Sequence, residues 1–260
     1  MNLFNLPFAH RGLHDGNVKV PENSMQSFKL AVEKGYGIEI DVRLLKDGKV
    51  AVFHDGNLKR LVKDKNIAIS KLTSKDLEKD EYRLANGEKI PLFEELLEYI
   101  NGKIVILCEL KTFNVFSTRL EKAVHECIKG KEAWVVVQSF SPWAVKWFKK
   151  NAPEFYRGQL ANKAKGGLKV LYALLNPYRM LKMGMPYFLA YKVDHMPSER
   201  IKQACKDFNL KLLAWTVKTD EHLIVAQEYG VDQVIFENVE PSDYVKHELV
   251  KSSKVLADND

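Results

Sequence analysis

Cysteine is scarce in this chain. Cys108, Cys127 and Cys205 are its three, and no two form a CxxC pair. An odd, sparse set argues against a disulfide framework and suits small core hydrophobes in a reducing compartment. Long apolar runs are missing as well: none reaches the ~18–20 residues of a membrane span. The opening MNLFNLPFAHRG lacks the basic and apolar regions of a signal peptide, so the cytoplasm is the expected location. No block of five or six consecutive basic residues occurs, nor any nucleic-acid motif, so nucleic acid is not an expected partner. Repeats and low-complexity tracts are absent, and extended disorder with them.

What is present is a globular composition. Of 260 residues, 46% are hydrophobic, enough for a full core, and the net charge of +6 leans weakly towards anionic partners. Extended runs are expected at Leu6–His10, Gly37–Val42, Val50–His54, Ile104–Leu110, Trp134–Phe140, Phe155–Leu160, Phe188–Val193, Lys211–Val217 and Val234–Phe236. Between them lie helical patterns such as ENSMQSFKLAVEKG and PLFEELLEYING, with Pro91 at a first helical position and Ser198 and Thr219 as N-caps. Alternating strand and helix implies parallel strands with helical crossovers. Nine runs are one too many for a (β/α)8 TIM barrel, but Asp47-Gly48 is a hairpin-turn pair. Folding there makes the second and third runs one strand with an antiparallel return, sets Asp41 opposite His54, and leaves eight barrel strands. A barrel of about 250 residues matches the length. Residues 56–90, with helix-like TSKDLEKDEYRL behind a Thr73-x-x-Asp76 cap, read as a small insertion after this hairpin, within one barrel domain spanning 1–260.

The active site of such a barrel lies at the C-terminal strand ends. Those ends carry His10-Arg11, Glu39-x-Asp41 with His54-Asp55 on its return, Glu109-Leu-Lys111, Gln138-Ser-Phe140 and Trp215-Thr216. Glu39 and Asp41 leave one strand face about 7 Å apart at the backbone, and Glu109 arrives on the next strand. Three converging carboxylates repel one another unless a cation neutralises them. An all-oxygen set suits a hard divalent ion, Mg²⁺ or Ca²⁺, better than a salt-bridge network with Arg11, Arg43 and Lys111. His10 and His54 are the expected proton-transfer pair; the other five histidines show no such setting. Arg11 and Lys111 place fixed positive charge where a phosphodiester gains negative charge. Trp215 is either an apolar wall for an alcohol group or a core aromatic.

These pieces resemble one family, the glycerophosphodiester phosphodiesterases. The matching stretches are Ala9-His10-Arg11-Gly12, Pro21-Glu22-Asn23-Ser24, Glu39-Ile-Asp41-Val-Arg, Phe53-His54-Asp55 with Leu58-x-Arg60, Ile90-Pro91, Glu109-Leu-Lys111, Gln138-Ser-Phe140 and Trp215-Thr-Val217, in family order along nearly the whole chain. The resemblance implies a (β/α)8 barrel, a divalent metal on Glu39, Asp41 and Glu109, acid–base roles for His10 and His54 beside Arg11 and Lys111, and a small-molecule glycerophosphodiester as substrate. Substrate contacts are expected from Arg11, Glu22, Lys111, Gln138 and Trp215. Cleavage of lysophospholipids at a membrane, and binding of phosphodiesters without turnover, are the alternatives. Two stretches depart from the pattern: the longer loop LHDGNVKV, and Phe236-Glu237-Asn238 where the family has Thr-Asp or Thr-Asn. Residues 155–193, basic and apolar without one acidic residue, read either as an ordinary solvated face or as a flap touching anionic membranes.

Overall fold

The computed structural model describes residues 4–112, 116–163 and 177–241. The elements run β1 (Phe8–His10), α1 (Met25–Lys34), β2 (Gly37–Leu44), β3 (Val50–Val52), α2 (Phe93–Ile100), β4 (Ile106–Leu110), α3 (Arg119–Ile128), β5 (Val135–Ser139), α4 (Pro142–Asn151) and β6 (Arg157–Ala161). Then follow α5 (Pro177–Gly184), β7 (Phe188–Lys192), α6 (Glu199–Phe208), β8 (Lys211–Val217), α7 (Asp220–Tyr229) and β9 (Gln233–Phe236). The strand order is β1-β9-β8-β7-β6-β5-β4-β2-β3, and β1 also pairs with β2. Eight parallel strands therefore close on themselves, with β3 antiparallel to β2 outside the ring. This is the expected (β/α)8 barrel.

Period-two alternation on each strand feeds two cores. Ile38, Ile40 and Val42 point outward and pack with the helices, beside Phe28, Leu96 and Val124. Inward-facing Phe8, Leu107, Val136, Leu160, Phe188 and Leu213 fill the barrel. Gly158 is needed here: a Cβ at this position would lie 2.0 Å from the Phe188 ring. Several helix ends follow their capping signals, although Ser198 stands at the cap of α6 without a side-chain hydrogen bond. Ser24 accepts from the Ser27 N–H and Thr219 from the His222 N–H, while Gly35 and Gly230 end their helices in the left-handed conformation.

Three local expectations change. Pro91 precedes the α2 cap residue Leu92 and does not open the helix; Glu95 accepts from the Leu92 N–H instead. TSKDLEKDEYRL forms two short 3₁₀ turns: its Thr73–Asp76 cap is reciprocal, but its two buried apolar residues, Leu77 and Leu84, are seven apart with charged residues and a part-buried Tyr82 between them. The register of the β2–β3 hairpin opposes Asp41 to Phe53, whose N–H donates to the Asp41 carbonyl at 2.8 Å, so His54 stands one residue further on and is not opposite Asp41. The insertion buries Leu58, Leu61, Leu77, Leu84 and Ile90 against Leu45, Ala51 and Phe53 of the hairpin, which ties it to the barrel.

Candidate active site

The alternation that buries Ile38, Ile40 and Val42 outside necessarily aims Glu39 and Asp41 inside. Parallel register then sets His10 beside Glu39 and Asp41 beside Glu109, and Glu109 beside Gln138. Glu39, Asp41 and Glu109 are buried, and each offers an oxygen within 4.8 Å of the others. Lys111 Nζ lies 2.9 Å from Asp41 and 2.7 Å from Glu109, and Arg11 Nε lies 3.2 Å from Asp41. The Asn23 amide adds a hydrogen bond to Asp41 at 2.9 Å. These partners do not neutralise the cluster. Lys111 and Arg11 outweigh burial at Asp41 and hold it far below the usual carboxylate range. Burial, then repulsion by Asp41 and Glu109, pushes Glu39 well above it, and burial also raises Glu109. Two of three clustered carboxylates thus resist ionisation for want of positive charge, as expected of an oxygen donor set that fits a hard divalent cation.

Arg11 reaches this centre through an unusual turn. Arg11 and Gly12 both have left-handed backbone (φ 58 and 80), and a Cβ on Gly12 would press into Ser27. The turn lets the Arg11 N–H donate to Glu39 at 3.3 Å while its guanidinium donates to Glu22 at 2.8 Å. Glu22 is engaged on both oxygens: Arg60 donates twice at 2.7 Å, and Asn17 at 3.1 Å.

Both histidines are held by carboxylates. His10 Nδ1 lies 2.8 Å from Glu237, which also accepts from Lys218 at 3.0 Å. His54 Nδ1 lies 2.7 Å from Asp55, which accepts from Arg60 at 2.8 Å. A carboxylate only accepts, so Nδ1 is the donor in each ring and Nε2 keeps its lone pair. Burial lowers His10 to about 4 despite the Glu237 bond, and lowers His54 as well. At Glu237 burial is outweighed by the hydrogen bond and charge of His10, with Lys218 adding, and the acid settles at about 2.

Gln138 lies on the inward face of β5 with a buried Oε1 that has no hydrogen-bond partner among the described residues, an acceptor open to a hydroxyl. Trp215 is half-buried, donates to the Ala190 carbonyl at 3.0 Å and packs edge-to-face on Phe140 at 5.4 Å, both rings resting on the barrel-interior core. Sequence reasoning gave no role to Asn23, Asp55, Arg60, Lys218 or Glu237, though Asp55 adjoins His54 and Glu237 marks the departure from the family pattern. It also passed over His14, whose side chain is buried with Nε2 3.9 Å from Glu237. Much of the basic segment, 164–176, lies outside the described residues. Of the rest, Arg157 is buried, donating to the Gly184 carbonyl and stacking on Tyr187, and so belongs to no solvated face. Among the described residues no helix is long and apolar enough to cross a membrane.

A closed (β/α)8 barrel with clustered carboxylates, two carboxylate-held imidazoles and fixed cations at its mouth has the groups needed to hydrolyse phosphoric diesters. Residues 10–241 match the Glycerophosphoryl diester phosphodiesterase family. A glycerophosphodiester phosphodiesterase of Caldanaerobacter subterraneus subsp. tengcongensis is 30% identical over 245 residues, covering 90% of this chain and 95% of the relative. One from Bacillus altitudinis is 38% identical over 157 residues, 56% of this chain and 62% of the relative. Among solved structures, an Oleispira antarctica phosphodiesterase in complex with the product sn-glycerol-3-phosphate superposes with a TM-score of 0.71 at 25% identity, covering 89% of this chain and 93% of that one. The chain belongs to the glycerophosphoryl diester phosphodiesterase family.

Proposed function

We propose that this chain hydrolyses glycerophosphodiesters to glycerol 3-phosphate and an alcohol, with His10 and His54 as the acid–base pair. The observation that carries this reading is the pair of imidazoles, each fixed at Nδ1 by a carboxylate, beside the Glu39–Asp41–Glu109 cluster. Those three residues would hold a divalent ion, Mg²⁺ or Ca²⁺. When bound, it supplies Lewis-acid stabilisation of the phosphoryl oxygens.

The chain's own groups account for the proton transfers. One imidazole takes the proton of the glycerol 2-hydroxyl at Nε2 as that oxygen attacks phosphorus, using the proximity advantage of a neighbouring nucleophile. The other gives its proton to the departing alcohol oxygen as the P–O bond breaks. The product is a cyclic phosphate. Water then opens it with the two imidazoles exchanging roles, which restores both to their starting protonation. Neutral imidazoles, as the depressed His10 and His54 values imply, suit the base role; the paired Asp55 and Glu237 charges stabilise the protonated partner. Arg11 and Lys111 bear on the anionic phosphoryl group, with Glu22 acting on it through the guanidinium groups it holds. Gln138 offers its acceptor to a substrate hydroxyl, and Trp215 with Phe140 walls one arm of the diester.

The test is phosphorus NMR of glycerophosphocholine turnover with metal restored. A transient cyclic phosphate followed by glycerol 3-phosphate supports the internal-nucleophile route, and glycerol 3-phosphate formed by the parent chain with no cyclic phosphate at any time point counts against that route.

A further inference from the structure

On the far side of the mouth from Trp215 lies a second recess. Trp215 is on β8, which stands across the ring from β2 and β4. Between the end of β2, the insertion and the β4–α3 connection, a cavity of about 340 Å³ opens to solvent. Its charged side chains are Arg43, Lys111 and Arg119, and its hydroxyls are Ser70, Thr112 and Ser117. Every polar side chain lining it is a donor, and no carboxylate lines it among the described residues.

The cavity adjoins the reaction centre at Lys111. Lys111 is shared with it, 2.9 Å from Asp41, and Arg43 is fixed to the His54 carbonyl by a 2.7 Å hydrogen bond from Nε. Asp55 of the hairpin acts on Arg43 through its charge, but its hydrogen bonds go to His54 and Arg60. Arg119, at the start of α3, is exposed and has no acidic partner among the described residues. Lys111 is committed to Asp41 and Glu109, so the charge left for a ligand is that of Arg43 and Arg119. These two guanidinium groups, with no paired carboxylate among the described residues, favour an anion and disfavour a quaternary ammonium group.

We infer that this cavity receives the departing alcohol and selects alcohols that carry an anionic group of their own, a phosphate monoester or a carboxylate. The inference rests on the reading of the chain as a glycerophosphodiester hydrolase. A diester at the cluster has two arms; the apolar Trp215–Phe140 wall borders one side of the mouth, and the donor-lined cavity the other. Arg119 is then a specificity residue outside the proton-transfer machinery, and its distance from the barrel core makes it replaceable without loss of folding.

The experiment compares kcat/KM of the metal-restored full chain on glycerophosphoinositol, glycerophosphoinositol 4-phosphate and glycerophosphocholine. The first two share one ring and differ only in charge. The added phosphate is expected to raise kcat/KM about five-fold or more at low salt, with the advantage fading in high salt. Arg119→Glu should abolish that advantage while leaving glycerophosphoinositol within about two-fold, and Arg119→Lys should retain most of it. Equal kcat/KM for the two inositol substrates, or a preference unchanged by Arg119→Glu, overturns the subsite while leaving the hydrolase reading standing. No turnover of any of the three with any divalent ion overturns that reading itself and the subsite with it.

Discussion

Glu237 stands between His10 and Lys218, one oxygen 2.8 Å from the imidazole and the other 3.0 Å from the ammonium. The carboxylate comes from just beyond β9, where the family pattern has a shorter acid or an amide, and it parallels the His54–Asp55–Arg60 chain beside the end of β2. If it orients His10, Glu237→Ala should lower kcat about 10- to 100-fold, with KM changed far less, because an orienting group acts on proton transfer. Metal affinity should stay as in the parent chain. A variant that loses metal together with activity would show that Glu237 supports the carboxylate cluster instead.

Asp41→Asn and Glu109→Gln are expected to weaken divalent-ion binding at least about ten-fold, whereas His10→Ala and His54→Ala should abolish turnover and bind the ion as before. Calorimetric titration of the four variants separates the roles. Loss of ion binding in either histidine variant contradicts the division.

The Glu22 network sets a pH dependence of stability. Burial alone would raise this carboxyl, but the hydrogen bonds of Arg60 and the charges of Arg11 and Arg60 bring it from 4.5 down to about 2. Its folded-state value is the lower one, so its contribution is complete above the unfolded value and is lost as pH falls from 4.5 towards 2. With Arg60 partly solvated, that contribution is about 2 kcal/mol. Urea unfolding should find Glu22→Gln less stable than the parent near neutral pH, with the gap closing in acid. A gap that stays constant down to strongly acid pH would place the effect outside ionisation.

Gly158 is a packing requirement. A methyl group there meets the fully buried Phe188 ring at 2.0 Å, and the ring is hemmed in by the barrel interior. Gly158→Ala should cost about 1–3 kcal/mol. Thermal unfolding by circular dichroism should show Tm several degrees lower; an unchanged Tm would mean the ring has room to move.

The barrel was legible in the sequence because its signals are local and repeated: alternating strands, helical crossovers, and one Asp47-Gly48 turn that removed the surplus strand. The metal-suited carboxylates were legible for the same reason, since Glu39 and Asp41 share a strand face and Glu109 ends the next strand. The partners of the histidines were not. Glu237 is 227 residues from His10, and only closure of β9 onto β1 brings them together. His14 gave no sign of its place because a turn of left-handed Arg11 and Gly12, not a strand, carries it back beside Glu237. The 3₁₀ turns of the insertion escaped because a reciprocal cap announces a helix start without fixing its length.

The central claim is hydrolysis of a glycerophosphodiester that depends on a divalent ion held by the carboxylate cluster. Its most direct measurement is enzymatic detection of glycerol 3-phosphate released from glycerophosphocholine by the chain as purified, after chelation, and with Mg²⁺ or Ca²⁺ restored. Release that stops on chelation and returns with one of these ions, in the parent but not in His54→Ala, is the predicted result. Release that is indifferent to chelator, or absent with every ion supplied, contradicts the account.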